Sequence, residues 1–501
     1  MAALSNHADL IHHATGPTSS RWAVYRRDWN AHGLRYRVGR HSYKRLLASH
    51  PKLQSELPHH CSARRFDNPH TPAANYSPLS AREKQVTANP NGFSTSRLAR
   101  LDDVMRRRYV DTGRLPGIIT TIWRRGALAH AGLSGHMDIE RGKPMREDAI
   151  FRIYSMSKPI TAVALMMLVE EGMLGLDDDV ATHIPAWKDQ GVYATGMPGL
   201  VPTAGPAFIT TPPNRPMKVI DLATHTSGLT YGFLNRTAVD AAYRRLGIAG
   251  LNAEGGLDAM VESLAGLPLE FSPGTAWNYS VAIDVLGYLV QKLSGMSFGE
   301  FLRTRLFEPL GMTDTAFWCP AEKTGRLTTC YMPREGGGIK VQDDAGASAF
   351  AAPPKLESGG GGLLSTAHDY MRFCRMMLNG GTLDGVQILS PKTVALFSLN
   401  HLPNNQELAD MAPPGLFSES GYAGIGFSLG CGVNIDVAKT RLPGTLGEYF
   451  WGGAASTAFW IDPREDLAVV FMTQVLGSDA RLTLRRDLRT LVYASMTESF
   501  A

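Results

Sequence analysis

Cysteine is scarce in this chain: five thiols stand among 501 residues, at Cys61, Cys319, Cys330, Cys374 and Cys431. They are odd in number, far apart and in no CxxC spacing. That pattern argues against a disulfide framework or a thiolate zinc site, and it favours a reducing, cytoplasmic compartment. Long apolar runs are missing too. No stretch of about 18 residues is both apolar and uncharged, as a membrane-spanning helix requires. HExxH and a glycine-rich phosphate loop are also absent, so neither a metal nor a cofactor is implied. What the chain does have is 44% hydrophobic and 19% charged residues, enough for a sizeable core. Disorder over most of the chain is thereby excluded.

The net charge of +4 conceals an uneven distribution. Residues 1–90 hold 13 Lys and Arg against 5 Asp and Glu, whereas the remainder holds 37 against 41. Nine of the fifteen histidines also fall in that first segment. It lacks any sustained apolar period, so it reads as a basic, disordered extension. A basic arm for nucleic acid or membrane is the rival reading. No basic stretch precedes an apolar one, which argues against a secretory signal. A mitochondrial presequence is weakened by Asp9 and Asp28, since such segments are poor in acids.

From Ser94 onward the pattern changes. Leu98, Leu101, Val104 and Met105 form one stripe, which predicts a helix over Ser94–Val110. Gly117–Trp123 and Ala127–Ser134 are strand-like, and Arg124-Arg125-Gly126 between them predicts a hairpin. Pro159–Glu171 is apolar nearly all round, the mark of a helix buried at the centre of a domain. Further helices are predicted over Val281–Leu293, from Thr366 to Leu378, and over Ala480–Met496. Thr457–Ile461 and Leu467–Thr473 read as a second strand pair. Strands at both ends with helices between predict an α+β fold: an antiparallel sheet flanked by helices, with a mostly helical region inserted. The expected division is 91–175 and 346–501 for the sheet part and 176–345 for the helical part.

Two serine motifs compete for the chemistry. Gly426-Phe427-Ser428-Leu429-Gly430 fits the GxSxG elbow of α/β-hydrolases. That elbow needs a helix after the serine and a histidine later in the chain. Here a strand-like run follows, and the last histidine is His401. Ser428 is therefore read as structural. The second motif is Ser155-Met156-Ser157-Lys158. Ser-x-x-Lys alone is weak, and it recurs as Ser49-His50-Pro51-Lys52 in the basic arm. Context separates the copies. Pro159 is tolerated only in the first turn of a helix, so the buried helix begins close to Ser155. A spacing of three puts Ser155 and Lys158 on one face of that turn. The positive end of the helix favours developing negative charge, and a neutral lysine amine can serve as a serine's base.

Two other segments add weight. Trp277-Asn278-Tyr279-Ser280-Val281 introduces an amphipathic helix and offers a phenol at Tyr279. Trp451-Gly452-Gly453-Ala454 reads as a strand carrying two glycines, which often marks a close backbone approach to a ligand.

Taken together, Phe151-Arg152-Ile153-Tyr154-Ser155-Met156-Ser157-Lys158, Thr224-His225-Thr226-Ser227-Gly228-Leu229, Trp277-Asn278-Tyr279-Ser280, Ser358-Gly359-Gly360-Gly361-Gly362-Leu363 and Trp451-Gly452-Gly453 resemble the serine β-lactamase and penicillin-binding-protein superfamily. Within it, the chain looks most like the family VIII carboxylesterases and the class C β-lactamases. The resemblance spans about Ser94 to Ala494. It implies the β-lactamase/transpeptidase-like fold, with a site in the cleft between the sheet part and the helical part. It also implies Ser155 as acyl-accepting nucleophile and Lys158 and Tyr279 as general base and acid. Backbone N–H groups of Ser155 and Ala454 would form the oxyanion hole, and no cofactor is needed. His225 lies in a segment that the resemblance assigns to scaffold.

Two departures bear on substrate. The second motif commonly ends in Asn, where this chain has Val281, which offers no hydrogen bond. The third commonly begins with a cation, where this chain has Trp451. Both favour a short, neutral carboxylic ester over an anionic lactam, with Trp451, Gly452, Gly453 and Val281 lining the substrate site. The rivals are a β-lactamase or D,D-peptidase, an acyltransferase or transesterase using the same residues, and a silent scaffold of the same fold. The expected partner is a small-molecule ester and not a nucleic acid; the sequence leaves the oligomeric state open.

Overall fold

In the computed structural model, residues 89–197, 207–250, 253–412, 423–477 and 481–500 are described. The expectations for the basic arm, including its Ser49–Lys52 copy of the motif, lie outside these residues.

Strand-forming runs from both ends of the chain meet in one sheet. Near the start, a helix α1 (Thr95–Met105) is capped by the Ser94 hydroxyl and continues as one wide turn over Arg106–Val110. The hairpin β1 (Gly117–Arg124) and β2 (Ala127–Asp138) follows, and then the short β3 (Lys143–Pro144). Arg125 and Gly126 both have positive φ (55° and 70°), the backbone that suits a two-residue turn to the twist of its strands. Late in the chain come β4 (Ile425–Phe427), β5 (Gly432–Asn434), β6 (Tyr449–Gly452), β7 (Ala458–Asp462) and β8 (Leu467–Met472). They pair antiparallel in the order β4-β5-β6-β7-β8-β1-β2-β3. The two ends are joined by β1 on β8, with Ile119 opposite Met472 and Arg124 opposite Leu467.

Alternation along β7 and β8 divides the core. Trp460, Val469 and Phe471 face α1 and the last helix α5 (Arg481–Ala494), packing with Leu98, Leu101 and Leu488. Phe459, Ile461, Ala468 and Val470 face the other way, into the larger core. At its centre is α2 (Ser157–Glu170), in which every residue from Ser157 to Leu168 is buried. Its all-round apolarity follows from that position: α4 (Ala367–Leu378) and the sheet lie to one side of the core, and α3 (Ala282–Ser294) packs directly on α2. The inserted region is mostly short helices, as expected. It also contains two small ribbons, Val192–Met197 with Ala207–Thr211 and Cys330–Pro333 with Ile339–Asp343, which helical periodicity did not suggest. The four described cysteines are buried free thiols. Among the described residues no helix is long and apolar enough to cross a membrane.

Candidate active site

Ser155 lies in a 3-10 turn, Tyr154–Met156, directly before α2. Lys158 follows three residues later in the first turn of α2, and its Nζ reaches Ser155 Oγ at 3.3 Å. Tyr154 holds φ +43°, a sparsely populated conformation for a bulky residue, and its ring packs edge-on against Phe350. The turn is therefore held by packing around it.

Lys158 is fully buried. Its Nζ also donates to Gly360 O at 2.6 Å and to the Tyr231 hydroxyl at 3.3 Å. Nζ sits 4.4 Å from the centre of the Tyr279 ring. The Ser358–Gly362 run supplies this lining because it lies tight against α2 and α3. A β-carbon on Gly359 would be 2.8 Å from Ile283 O, and one on Gly360 would be 2.6 Å from both Asp284 Oδ2 and the Tyr231 hydroxyl.

Tyr231 and Tyr279 are brought together by two stitched segments. Asn278 N donates to His225 O (2.9 Å), Asn278 Nδ2 to Leu229 O (2.9 Å), and Val281 N to Thr230 O (3.2 Å). His225 stands between them with φ +58°, fully buried, its Nδ1 3.1 Å from Ser280 Oγ and its ring against Trp277, Tyr279 and Phe427. Burial, and then the charge of Lys158, holds its imidazole well below the usual range, so it stays neutral.

Behind Lys158 lies a polar group that sequence reasoning missed. Asp284, buried on α3, accepts from Ser358 Oγ (2.5 Å), Gly360 N (3.0 Å) and the Tyr231 hydroxyl (3.5 Å). Burial raises its carboxyl above the ordinary carboxylate range despite these donors and Lys158. Burial, then Asp284, also pushes the Tyr231 phenol well up, so Tyr231 keeps its proton. A lone carboxylate on the apolar face of a predicted helix was the available signal for Asp284. Tyr231 had only its closeness to the Thr224–Leu229 segment.

Ser155, Tyr231, Tyr279, Trp451, Gly453 and Ala454 line one cavity of about 400 Å³, whose walls are mainly apolar. Trp451 donates its indole N–H to the Tyr279 hydroxyl at 3.4 Å and meets Phe427 edge-to-face. Gly452 and Gly453 also border the cavity, but what approaches their backbone is protein. A β-carbon on Gly452 would be 2.1 Å from Arg485 Nη2, and one on Gly453 would be 2.4 Å from Ile153 O. Val281 departs from expectation: its side chain is fully buried at the start of α3 and does not border the cavity. The residue directly precedes that helix, and its N–H donates to Thr230 O at 3.2 Å. Ser428 is buried in the β4–β5 turn, with its hydroxyl on Cys431 O at 3.1 Å.

A family model described as beta-lactamase matches residues 102–494. The chain belongs to the beta-lactamase family. Protein Rv1367c of Mycobacterium tuberculosis is 38% identical to it over 371 residues, 74% of this chain and 88% of that protein. Esterase EstB of Burkholderia gladioli is 30% identical over 429 residues, 82% of this chain and 99% of the esterase. Among solved structures, EstCE1, a hydrolase with promiscuous acyltransferase activity, superposes with a TM-score of 0.66 at 27% identity, over 79% of this chain and 99% of that one. This beta-lactamase family member therefore shares its mixed helix and antiparallel-sheet architecture with a hydrolase.

Proposed function

We propose that the protein is a serine carboxylesterase that works through an acyl-enzyme on Ser155. The observation that carries this reading is the buried Lys158 amine at the start of a helix, 3.3 Å from the hydroxyl of Ser155, which lines the cavity. With Lys158 as a neutral amine, Ser155 Oγ gives its proton to Nζ as Oγ bonds to the ester carbonyl carbon. Peptide N–H groups of Ser155 and Ala454 stabilise the resulting oxyanion. The carbon–alkoxide bond then breaks, and the departing alcohol takes the proton by way of Lys158 and Tyr279. Water attacks the acyl-enzyme in the reverse sense, which returns the proton to Ser155 and releases the acid. The names of EstB and EstCE1 support hydrolysis of esters.

The substrate we propose is a short, neutral ester. Trp451 presents an aromatic face where a carboxylate-bearing lactam would need a cation. The charge-assisted hydrogen bond that a cation at position 451 would give is worth about 1.5–3 kcal/mol, so its lack there weakens lactam recognition by about one to two orders of magnitude; Arg485, Arg486 and Arg489 also border the cavity, with Arg485 engaged by Gly453 O and Thr457 O. The argument rests on Trp451 alone, since Val281 is out of reach of the cavity. Acyl transfer to an alcohol uses the same residues, and the promiscuous acyltransferase activity of EstCE1 makes it the second reading.

The test is hydrolysis of p-nitrophenyl butyrate together with fluorophosphonate labelling. Ser155→Ala should abolish both, and Ser428→Ala should retain most of each. A folded Ser155→Ala variant with full activity would overturn the reading.

A further inference from the structure

We propose that Arg485 is a positioning residue for the oxyanion hole, through the peptide group that joins Gly453 to Ala454. The inference rests on the functional reading above, which makes the Ala454 N–H an oxyanion donor. That N–H and the Gly453 carbonyl belong to one planar peptide unit, so whatever holds the carbonyl fixes the direction of the N–H. Arg485, half-buried on α5, donates from Nη2 to Gly453 O at 3.1 Å and to Thr457 O at 3.0 Å. One guanidinium nitrogen thus spans the two ends of the loop that carries Ala454.

The remaining bonds show why that loop needs such a tie. Gly453 N donates to Thr457 O (3.0 Å) and to Thr457 Oγ1 (3.1 Å), and Ser456 N donates to Gly453 O (3.1 Å). Ser456 is held at φ +72°, a conformation a non-glycine residue rarely adopts. Its hydroxyl reaches Val475 O (2.8 Å), and Val475 N returns to Ala455 O (3.0 Å). The loop is therefore a strained five-residue turn anchored on β8's side and on α5. A flip of the 453–454 peptide would lose the Arg485 bond. The same bond polarises the peptide, since a carbonyl that accepts from a cation makes its N–H a stronger donor. Gly452 completes the arrangement. Its missing side chain leaves the space the guanidinium occupies, because a β-carbon there would lie 2.1 Å from Nη2. Gly453 in turn lets the loop press on Ile153, two residues before the nucleophile, so the two proposed oxyanion donors share one seam.

The experiment compares wild type, Arg485→Met and Arg485→Lys, with p-nitrophenyl butyrate as substrate and phenylboronic acid as a tetrahedral, anionic mimic. Loss of a whole oxyanion donor costs about 10²–10³-fold, so loosening one should cost about 10–100-fold. For Arg485→Met we expect kcat/KM to fall and the boronate inhibition constant to rise by matching factors of that size. KM should stay within about threefold. A residue that merely stabilised the fold would shift the melting temperature and leave the boronate constant of the folded enzyme unchanged. Arg485→Lys keeps the charge on a shorter side chain without the planar guanidinium, so it should fall between the two. It carries the test if Arg485→Met does not fold. A folded variant whose kcat/KM and boronate affinity both stay within threefold of wild type overturns the proposal. Ser155→Ala, run alongside, separates the two readings. If it is inactive while Arg485→Met is normal, only the role of Arg485 falls; if it is active, the site itself has been misread.

Discussion

Acidification provides a sharp test of how the site is packed. His225 is fully buried, its Nε2 has no hydrogen-bond partner among the described residues, and Lys158 lies close by. Its imidazole in the folded protein is held well below 6.5 by burial and by that charge. In the unfolded chain it titrates near 6.5. Below that pH the unfolded state takes up a proton that the folded state refuses, so stability falls as pH falls. Between pH 7.5 and 5.0 this one group should remove about 2 kcal/mol of folding free energy. The control is His225→Asn. Asparagine tolerates the left-handed backbone at this position (φ +58°) and does not titrate. The variant also loses ring contacts with Trp277, Tyr279 and Phe427, but that loss is the same at both pH values. His401, also lowered by burial, contributes equally to both proteins. Urea unfolding followed by tryptophan fluorescence at pH 7.5 and 5.0 should therefore show wild type losing about 2 kcal/mol more than His225→Asn. Equal losses within about 0.5 kcal/mol would refute the reasoning.

Two other substitutions test the cavity wall. Gly453→Ala places a methyl group 2.4 Å from Ile153 O, so the strand end must move away from the nucleophile turn. We expect kcat/KM for p-nitrophenyl butyrate to fall at least about tenfold, with a measurable drop in melting temperature, since ångström shifts of catalytic groups cost up to about 10²-fold. Trp451→Lys exchanges an aromatic face for a cation and breaks the contact with the Tyr279 hydroxyl. It should lower ester turnover and raise the nitrocefin-to-ester ratio of kcat/KM about tenfold or more, which spectrophotometric assays of both substrates on one preparation would measure.

Much of the framework could be read from local signals. The buried helix α2 announced itself by being apolar on every side, and Pro159 fixed where it starts. The β1–β2 hairpin was visible in Arg125-Gly126, and the β7–β8 pair in two β-rich runs around Asp462-Pro463-Arg464. The 3.3 Å contact between Ser155 and Lys158 follows from their spacing of three in a tight turn. What stayed hidden depends on partners far away in the chain. Asp284 matters because the Ser358–Gly360 run folds back onto it, and no periodicity reports that. Gly452 and Gly453 at the end of β6 signalled a close approach, but whether ligand or protein approaches depends on Arg485 and Ile153 in other elements. Val281 looked like a wall residue by its place in a motif. Its burial goes with a long-range contact between two loops, the bond of its N–H to Thr230 O.

The complete burial of α2 from Ser157 to Leu168 also has a consequence for how the enzyme ages under stress. Amides in a helix this deeply buried should exchange with solvent chiefly through openings close to global unfolding. Lys158 is built into that most protected unit, and Ser155 sits at its doorstep. The Gly453–Thr457 loop opposite is tied instead to a hairpin end and to one side of α5. The two halves of the site thus belong to parts of the molecule with different opening free energies. On warming, the loop should loosen first, leaving Ser155 and Lys158 still in register but facing a wall that no longer holds its shape.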